Sequence, residues 1–188
     1  MKKYLLLSLL LCLPTVPAWS GSFDLSFNDT SAQAQLAFPL RSDDYGTMQL
    51  EGRALYNDQE DTRLGSAGLV FVGEPGNIPG LSLGVGGLLY GGRTDDKQDI
   101  LAFGVGGHLD FAPPALGGFG LTGKVYYAPR VFTGLDAERL LETGLLLGYA
   151  VTPKVRVYAG YQNIRSNFED RGNWTIDDEV RVGFQASF

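Results

Sequence analysis

His108 and Asp110 are the residues in this chain best suited to acid–base chemistry. They lie two apart in the segment GGHLDF. Alternate residues of an extended chain share one face, so a strand would hold imidazole and carboxylate side by side. A histidine oriented by an acid can move a proton near neutral pH. With a hydroxyl in reach, it could activate a nucleophile against an ester. No serine or threonine follows it in a His-x-Ser spacing, so the pair lacks a local nucleophile. The competing reading makes His108 one member of a polar network. It is the only histidine, and Cys12 is the only cysteine, which excludes the common zinc sites. Gly84-Val-Gly-Gly and Gly104-Val-Gly-Gly echo each other, but no helix follows either one, so neither is a nucleotide-binding turn. No catalytic, cofactor or metal residues are assigned, and no cofactor is implied.

The face that carries His108 and Asp110 continues on the strands that follow. It holds Thr122, Lys124 and Tyr126, then Glu142, then Lys154, Arg156, Tyr158 and Gln162, and finally Glu179, Arg181 and Gln185. Both signs of charge occur on neighbouring strands. Charges enclosed together must be paired or hydrated. The expected network is His108, Asp110, Lys124, Tyr126, Glu142, Arg156, Tyr158, Glu179 and Arg181. Glu142 is expected to meet Lys124 or Arg156, and Glu179 to meet Arg156 or Arg181. A charged constriction in a narrow pore is the alternative use of the same residues. Glycines repeat on this face, at 84, 86, 104, 106, 118, 120, 144, 148, 160 and 183, and either make room for a neighbouring Tyr or Arg or leave a water-filled cavity.

The elements that position these groups are strands. In the C-terminal stretch Val180, Val182, Phe184, Ala186 and Phe188 are apolar and alternate with small or polar residues, a two-faced strand. Ten such strands are expected: 22–28, 31–38, 45–56, 63–73, 81–90, 100–111, 119–127, 139–151, 154–164 and 176–188. The first two are short, and an eight-strand count is the competitor. Leu101, Phe103, Val105, Leu145, Leu147 and Val157 share the apolar face. Tyr45, Tyr56, Tyr90, Phe111, Phe119, Tyr127, Tyr149, Tyr161 and Phe188 gather at strand ends, as interfacial aromatic girdles do. Alternate connections are polar and acidic (NDQED, GGRTDDKQD, residues 128–138 and 165–175) or rich in Pro and Gly (EPGNIPG, APPALGG). The acids of the first kind, among them Asp58, Glu60, Asp61, Asp95, Asp96, Glu169 and Asp170, are either solvated or share divalent cations with lipopolysaccharide phosphates.

The N-terminus carries Lys2 and Lys3, an apolar run from Tyr4 to Leu13, and Ala18-Trp19-Ser20. This is a secretory signal over residues 1–20, followed by one domain over 21–188. Its removal takes the formal charge from −6 to −8 and takes Cys12 with it, so the mature chain has no disulfide. An acidic chain has no electrostatic footprint for nucleic acid. The apolar run is too short for a membrane helix, which needs about 20 apolar residues.

The ending on Phe188 resembles the terminal strand of bacterial outer-membrane barrels, in which Val180, Val182, Phe184 and Phe188 would form the assembly signal. That implies periplasmic chaperones and the barrel assembly machinery as partners, and outer-membrane lipids and lipopolysaccharide as surroundings. From Gly106 onward the chain resembles the YfaZ family of outer-membrane proteins. The segments that carry this are GGHLDFAPPALGGFGLTGKVYYAPRVF, Glu142, GYAVTPKVRVYAGYQNIR and VRVGFQASF. The fold class expected is an all-β transmembrane antiparallel up-and-down barrel, with its apolar face toward lipid. The resemblance brings no catalytic residues. A filled or narrow barrel with a structural or minor small-solute role is the expectation. The alternatives are a lipid-modifying enzyme using His108 and Asp110, and a soluble lipocalin-like carrier with its apolar face inward. Oligomeric state is not legible.

Overall fold

A sheet of two-faced strands must give each face its own solvent, and here the sheet achieves this by closing into a ring. The computed structural model describes residues 20–59, 61–76, 78–94, 98–168 and 172–188. The strands are β1 (Ser22–Phe27), β2 (Ser31–Asp43), β3 (Gly46–Asn57), β4 (Thr62–Gly73), β5 (Leu81–Arg93), β6 (Asp99–Phe111), β7 (Phe119–Ala128), β8 (Thr133–Leu135), β9 (Ala137–Thr152), β10 (Val155–Phe168) and β11 (Gly172–Ser187). Ten of them form a closed antiparallel barrel. β8 is a three-residue lip in the β7–β9 connection and pairs with the start of β6. Closure comes from β1 against β11, in register from Ser22↔Ser187 to Phe27↔Val182. Gly21 and Phe188 exchange backbone hydrogen bonds of 3.1 and 3.0 Å, so both ends of the barrel chain lie at one rim. Residues 1–19 of the expected signal, Cys12 among them, lie outside the described residues, as do Glu60, Asp95, Asp96, Glu169 and Asp170.

The expected ten strands are present, and the eight-strand competitor is excluded. Several strands are longer than expected. β2 runs on through Pro39 to Asp43, with a register shift between Pro39 and Arg41. A bulge tolerates the missing N–H of proline. β5 continues to Arg93, β6 begins at Asp99, and β10 and β11 extend into the 165–175 segment expected to be loop. Hairpin arms that rise beyond hydrocarbon need no apolar outward residues. The alternation that marks a strand therefore fades before the strand ends. At the terminal rim, Gly117 and Gly118 take φ of +60° and +101°, conformations open to glycine.

The apolar face points outward. Phe103, Leu145 and Val157 are 42, 54 and 43% exposed, and Leu101, Val105, Leu121, Val125, Leu147 and Val151 are exposed with them. The soluble-carrier alternative required the reverse facing and is overturned by this surface. Strands of this length, wrapped in apolar side chains, match a bilayer rather than water, and the protein is a transmembrane barrel. Tyr45, Tyr56, Phe119, Tyr127, Tyr149, Tyr161 and Phe188 are exposed toward the strand ends. Tyr90 is a correction. Counted with the girdle, it instead points into the barrel and is fully buried, because Leu89 and Gly91 take the outward positions.

Candidate functional site

Inward positions of β3, β5, β7, β9 and β10 bring a charged cluster to the middle of the lumen. Glu142 on β9 is its centre. Arg53 reaches it from β3 through two hydrogen bonds, Nη1 to Oε1 and Nη2 to Oε2, the latter 2.7 Å. Lys124 Nζ lies 2.6 Å from Oε1, and the Tyr90 hydroxyl donates to Oε2 at 2.9 Å. Arg53 also lies over the Tyr90 ring, 5.7 Å from its centroid. One carboxylate thus takes two cations and a hydroxyl. Such saturation is what an enclosed charge requires.

The network extends to the other wall through Gln162 of β10. It accepts from Lys124 at 3.0 Å and donates to Asp177 at 3.0 Å and to Gln33 at 3.2 Å. Asp177 on β11 also accepts from the Ser31 hydroxyl at 3.1 Å. Arg181 donates to Ser31 Oγ at 2.7 Å and lies 3.4 Å from Asp177. β2, β3, β5, β7, β9, β10 and β11 are tied together in one polar belt.

Beyond the belt, toward the rim away from the termini, the lumen is filled mainly by apolar side chains, with Asn57, Thr62 and Ser166 buried among them. Leu64, Ile100, Leu140, Ile164, Phe168 and Ile176 are at most 2% exposed, and with Leu55, Ala102 and Ala128 they form a continuous core. Each large side chain buried here contributes about 1.5–3 kcal/mol relative to contact with water. On the other side of the belt, toward the termini, lies a polar cavity of about 580 Å³. Gln35, Gln49, Glu51, His108, Asp110, Arg156 and Gln185 line it, and it reaches the rim residues Ser42, Thr47 and Ser187. The lumen is therefore a cup with a charged floor, backed by an apolar plug.

The cup wall is made by large side chains that lie across glycines. His108 pairs with Gly84 in register, and a Cβ on Gly84 would come 2.3 Å from the imidazole. Lys124 lies across Gly144, and Tyr158 across Gly183. The repeated lumenal glycines are packing spaces, and no dinucleotide-type turn is built from them.

The sequence-derived residues fall into two groups. Lys124 and Glu142 are in contact, and Tyr126 is buried beside them. Arg156 stands nearer the rim, 3.8 Å from Asp110, rather than at Glu142. Arg181 meets Asp177, four residues before it on β11, rather than Glu179. Tyr158 donates to Asp24 at 2.6 Å. His108 Nε2 lies 3.6 Å from Asp110, and Asp110 accepts from the Thr122 hydroxyl. Among the described residues no hydroxyl is hydrogen-bonded to His108. Val180, Val182 and Phe188 point outward, while Phe184 packs edge-on against Phe23 at 6.2 Å. Among the described residues no cluster of metal-ligating side chains occurs.

Arg53, Tyr90, Asp24, Glu51 and Asp177 are lumenal groups that sequence reasoning passed over. The signal for two of them was present: Thr47, Gln49, Glu51 and Arg53 alternate with Met48 and Leu50 on β3. At the far rim, outside the membrane span, Arg93 grips Asp99 with hydrogen bonds of 2.6 and 3.1 Å. Those bonds hold the Asp99 carboxyl below its usual value.

The chain matches a family model described as YfaZ precursor over residues 1–188. No curated protein matches it. Among solved structures it is similar to a KdgM porin, at 13% identity and TM-score 0.46, covering 90% of this chain and 99% of that one. It is also similar to the outer-membrane channel DcaP of Acinetobacter baumannii, at 10% identity and TM-score 0.46, covering 93% and 55%. Neisserial surface protein A matches at 16% identity and TM-score 0.37, covering 90% and 94%.

Proposed function

The chain belongs to the YfaZ family, and from the state of its lumen we propose that it is a closed outer-membrane barrel with an envelope-structural role, presenting a blind polar cup to the periplasm. One observation carries this reading. The Arg53–Glu142–Lys124 belt crosses the lumen, and an apolar plug fills the space beyond it. A solute entering the cup meets an enclosed ion cluster. Passing it means separating charges that are paired with one another across the ring. Small-solute passage needs both belt and plug to open together.

The cup faces the periplasm because barrels of this class keep both termini and their short turns there. Its lining of amides, hydroxyls and mixed charges suits hydrated polar contacts. His108 and Asp110 belong to this lining. Their geometry favours a network role over proton transfer, since Asp110 is held by Thr122 and faced by Arg156. A lipid-modifying enzyme acting on the outer leaflet would need them at the opposite rim.

Reconstitution into planar bilayers tests the proposal. The closed-barrel reading expects no sustained current, and ohmic steps at low voltage would overturn it.

A further inference from the structure

The lipid-facing wall of β2 to β5 carries a depression that the protein's own packing does not require. In register across the sheet run Leu25, Ala34, Ala54, Gly65, Gly91 and Leu101. One row toward the termini, Gly52 and Ala67 lie between Leu36 and Leu89. Small residues form the floor, and leucines stand at the sides. A Cβ added to Gly52 or Gly91 would meet nothing within 4 Å, and one on Gly65 would meet only backbone oxygens at 3.7 and 3.8 Å. The lumenal glycines differ, since their space is filled by His108, Lys124 and Tyr158. Here neither crowding nor a positive φ demands glycine, so the open volume belongs to something outside the chain.

The row above the groove names the chemistry of the occupant. Arg63 and Arg93 are directly paired across β4 and β5. Like charges in that position are destabilising on their own. Asp99 neutralises one of them, through Arg93. Arg63 remains, with its guanidinium over the Tyr56 ring at 5.8 Å. A cationic site at the rim, directly above an apolar slot in the bilayer-facing wall, is complementary to a phosphorylated lipid.

We propose that this groove holds an acyl chain of lipopolysaccharide, the phosphorylated lipid of the outer leaflet, with a phosphate seated at Arg63. The apolar floor takes the chain by close contact, as small residues do between packed surfaces in membranes. The Arg63 guanidinium takes the phosphate through charge-assisted hydrogen bonds. The site sits in the outer leaflet because the far rim is the extracellular one when the termini are periplasmic. It does not depend on whether the lumen conducts.

The test uses the purified barrel in detergent, titrated with lipid A, dephosphorylated lipid A and phosphatidylglycerol, with bound lipid counted by native mass spectrometry. Lipid A should be retained, and its dephosphorylated form held about tenfold more weakly, the effect of losing one charge-assisted contact. Arg63→Gln should reduce lipid A retention by a similar factor. The double variant Gly65→Leu, Gly91→Leu should abolish it with thermal unfolding unchanged, because both side chains enter open apolar space. Equal retention of lipid A by wild type and either variant overturns the site. Retention of phosphatidylglycerol as strong as that of lipid A overturns the assignment to lipopolysaccharide.

Discussion

Arg53 and Glu142 meet across the full width of the barrel. Their strands, β3 and β9, have four others between them whichever way the ring is followed, yet the guanidinium and the carboxylate form a bidentate pair. A contact between opposite walls divides the lumen at that height, and Tyr90 and Gln162 crowd the space beside it. With Lys124 joining from β7, the pair forms the floor of the cup and a cross-brace for the ring.

Breaking the brace should cost more than removing it. Glu142→Gln removes the carboxylate that Arg53 and Lys124 share. A loss of about 3–5 kcal/mol is expected, as for other broken buried pairs. Replacing all three together, with Arg53→Met, Lys124→Met and Glu142→Leu, should recover most of that loss. Denaturant unfolding of the barrel in detergent, compared across the single and triple variants, provides the check. Equal destabilisation by both would show that the charges are not acting as a unit.

Glycine substitutions should separate by the face they occupy. Gly84→Leu would drive into the His108 imidazole, since even an added Cβ would come 2.3 Å from it. Overpacking of this kind costs about 1–3 kcal/mol. Gly123→Leu, facing lipid with nothing within 4 Å of its Cβ, should leave stability unchanged. The same unfolding assay decides between them, and a neutral Gly84→Leu would count against the packed cup wall.

The ten-strand ring was legible because period-two alternation survives wherever one face meets lipid and the other meets polar groups. Val157 and Tyr158, or Leu145 and Gly144, show it plainly. The plug was not legible for the same reason. Leu140 points inward beside outward Leu141, and Leu64 and Ile100 are inward and apolar as well. Where both faces are apolar, alternation vanishes, and inside cannot be told from outside by pattern. The partners within the network were also out of reach. Asp177 and Glu179 alternate with outward residues on the same strand as Arg181, so period-two pattern does not choose between them.

The rim pair predicts a narrow pH dependence. Arg93 holds Asp99 below its ordinary value of 3.8. A carboxyl depressed by folding contributes stability above its unfolded value and loses that contribution as pH falls through the lowered one. The stability difference between wild type and Asp99→Asn should therefore be flat from neutral pH down to about 4 and vanish in stronger acid. Thermal unfolding of both proteins along a pH series would show it. A difference that grew in acid would have the wrong sign.

Phe188 should matter more for assembly than for the finished barrel. Its ring is 54% exposed and packs only loosely on Phe38, with centroids 6.4 Å apart. Phe188→Ala should lower the amount of barrel reaching the outer membrane severalfold. Refolded in detergent, the variant should lose no more than about 1 kcal/mol. Membrane fractionation beside in vitro refolding distinguishes the two, and equal effects in both would contradict an assembly role.

The closed lumen is tested most directly by single-channel recording of the purified protein in planar bilayers bathed in concentrated potassium chloride. The belt of Arg53, Lys124 and Glu142, backed by the plug around Leu140 and Ile164, predicts a flat baseline. Steady, voltage-independent conductance steps that persist in the wild-type protein would contradict it.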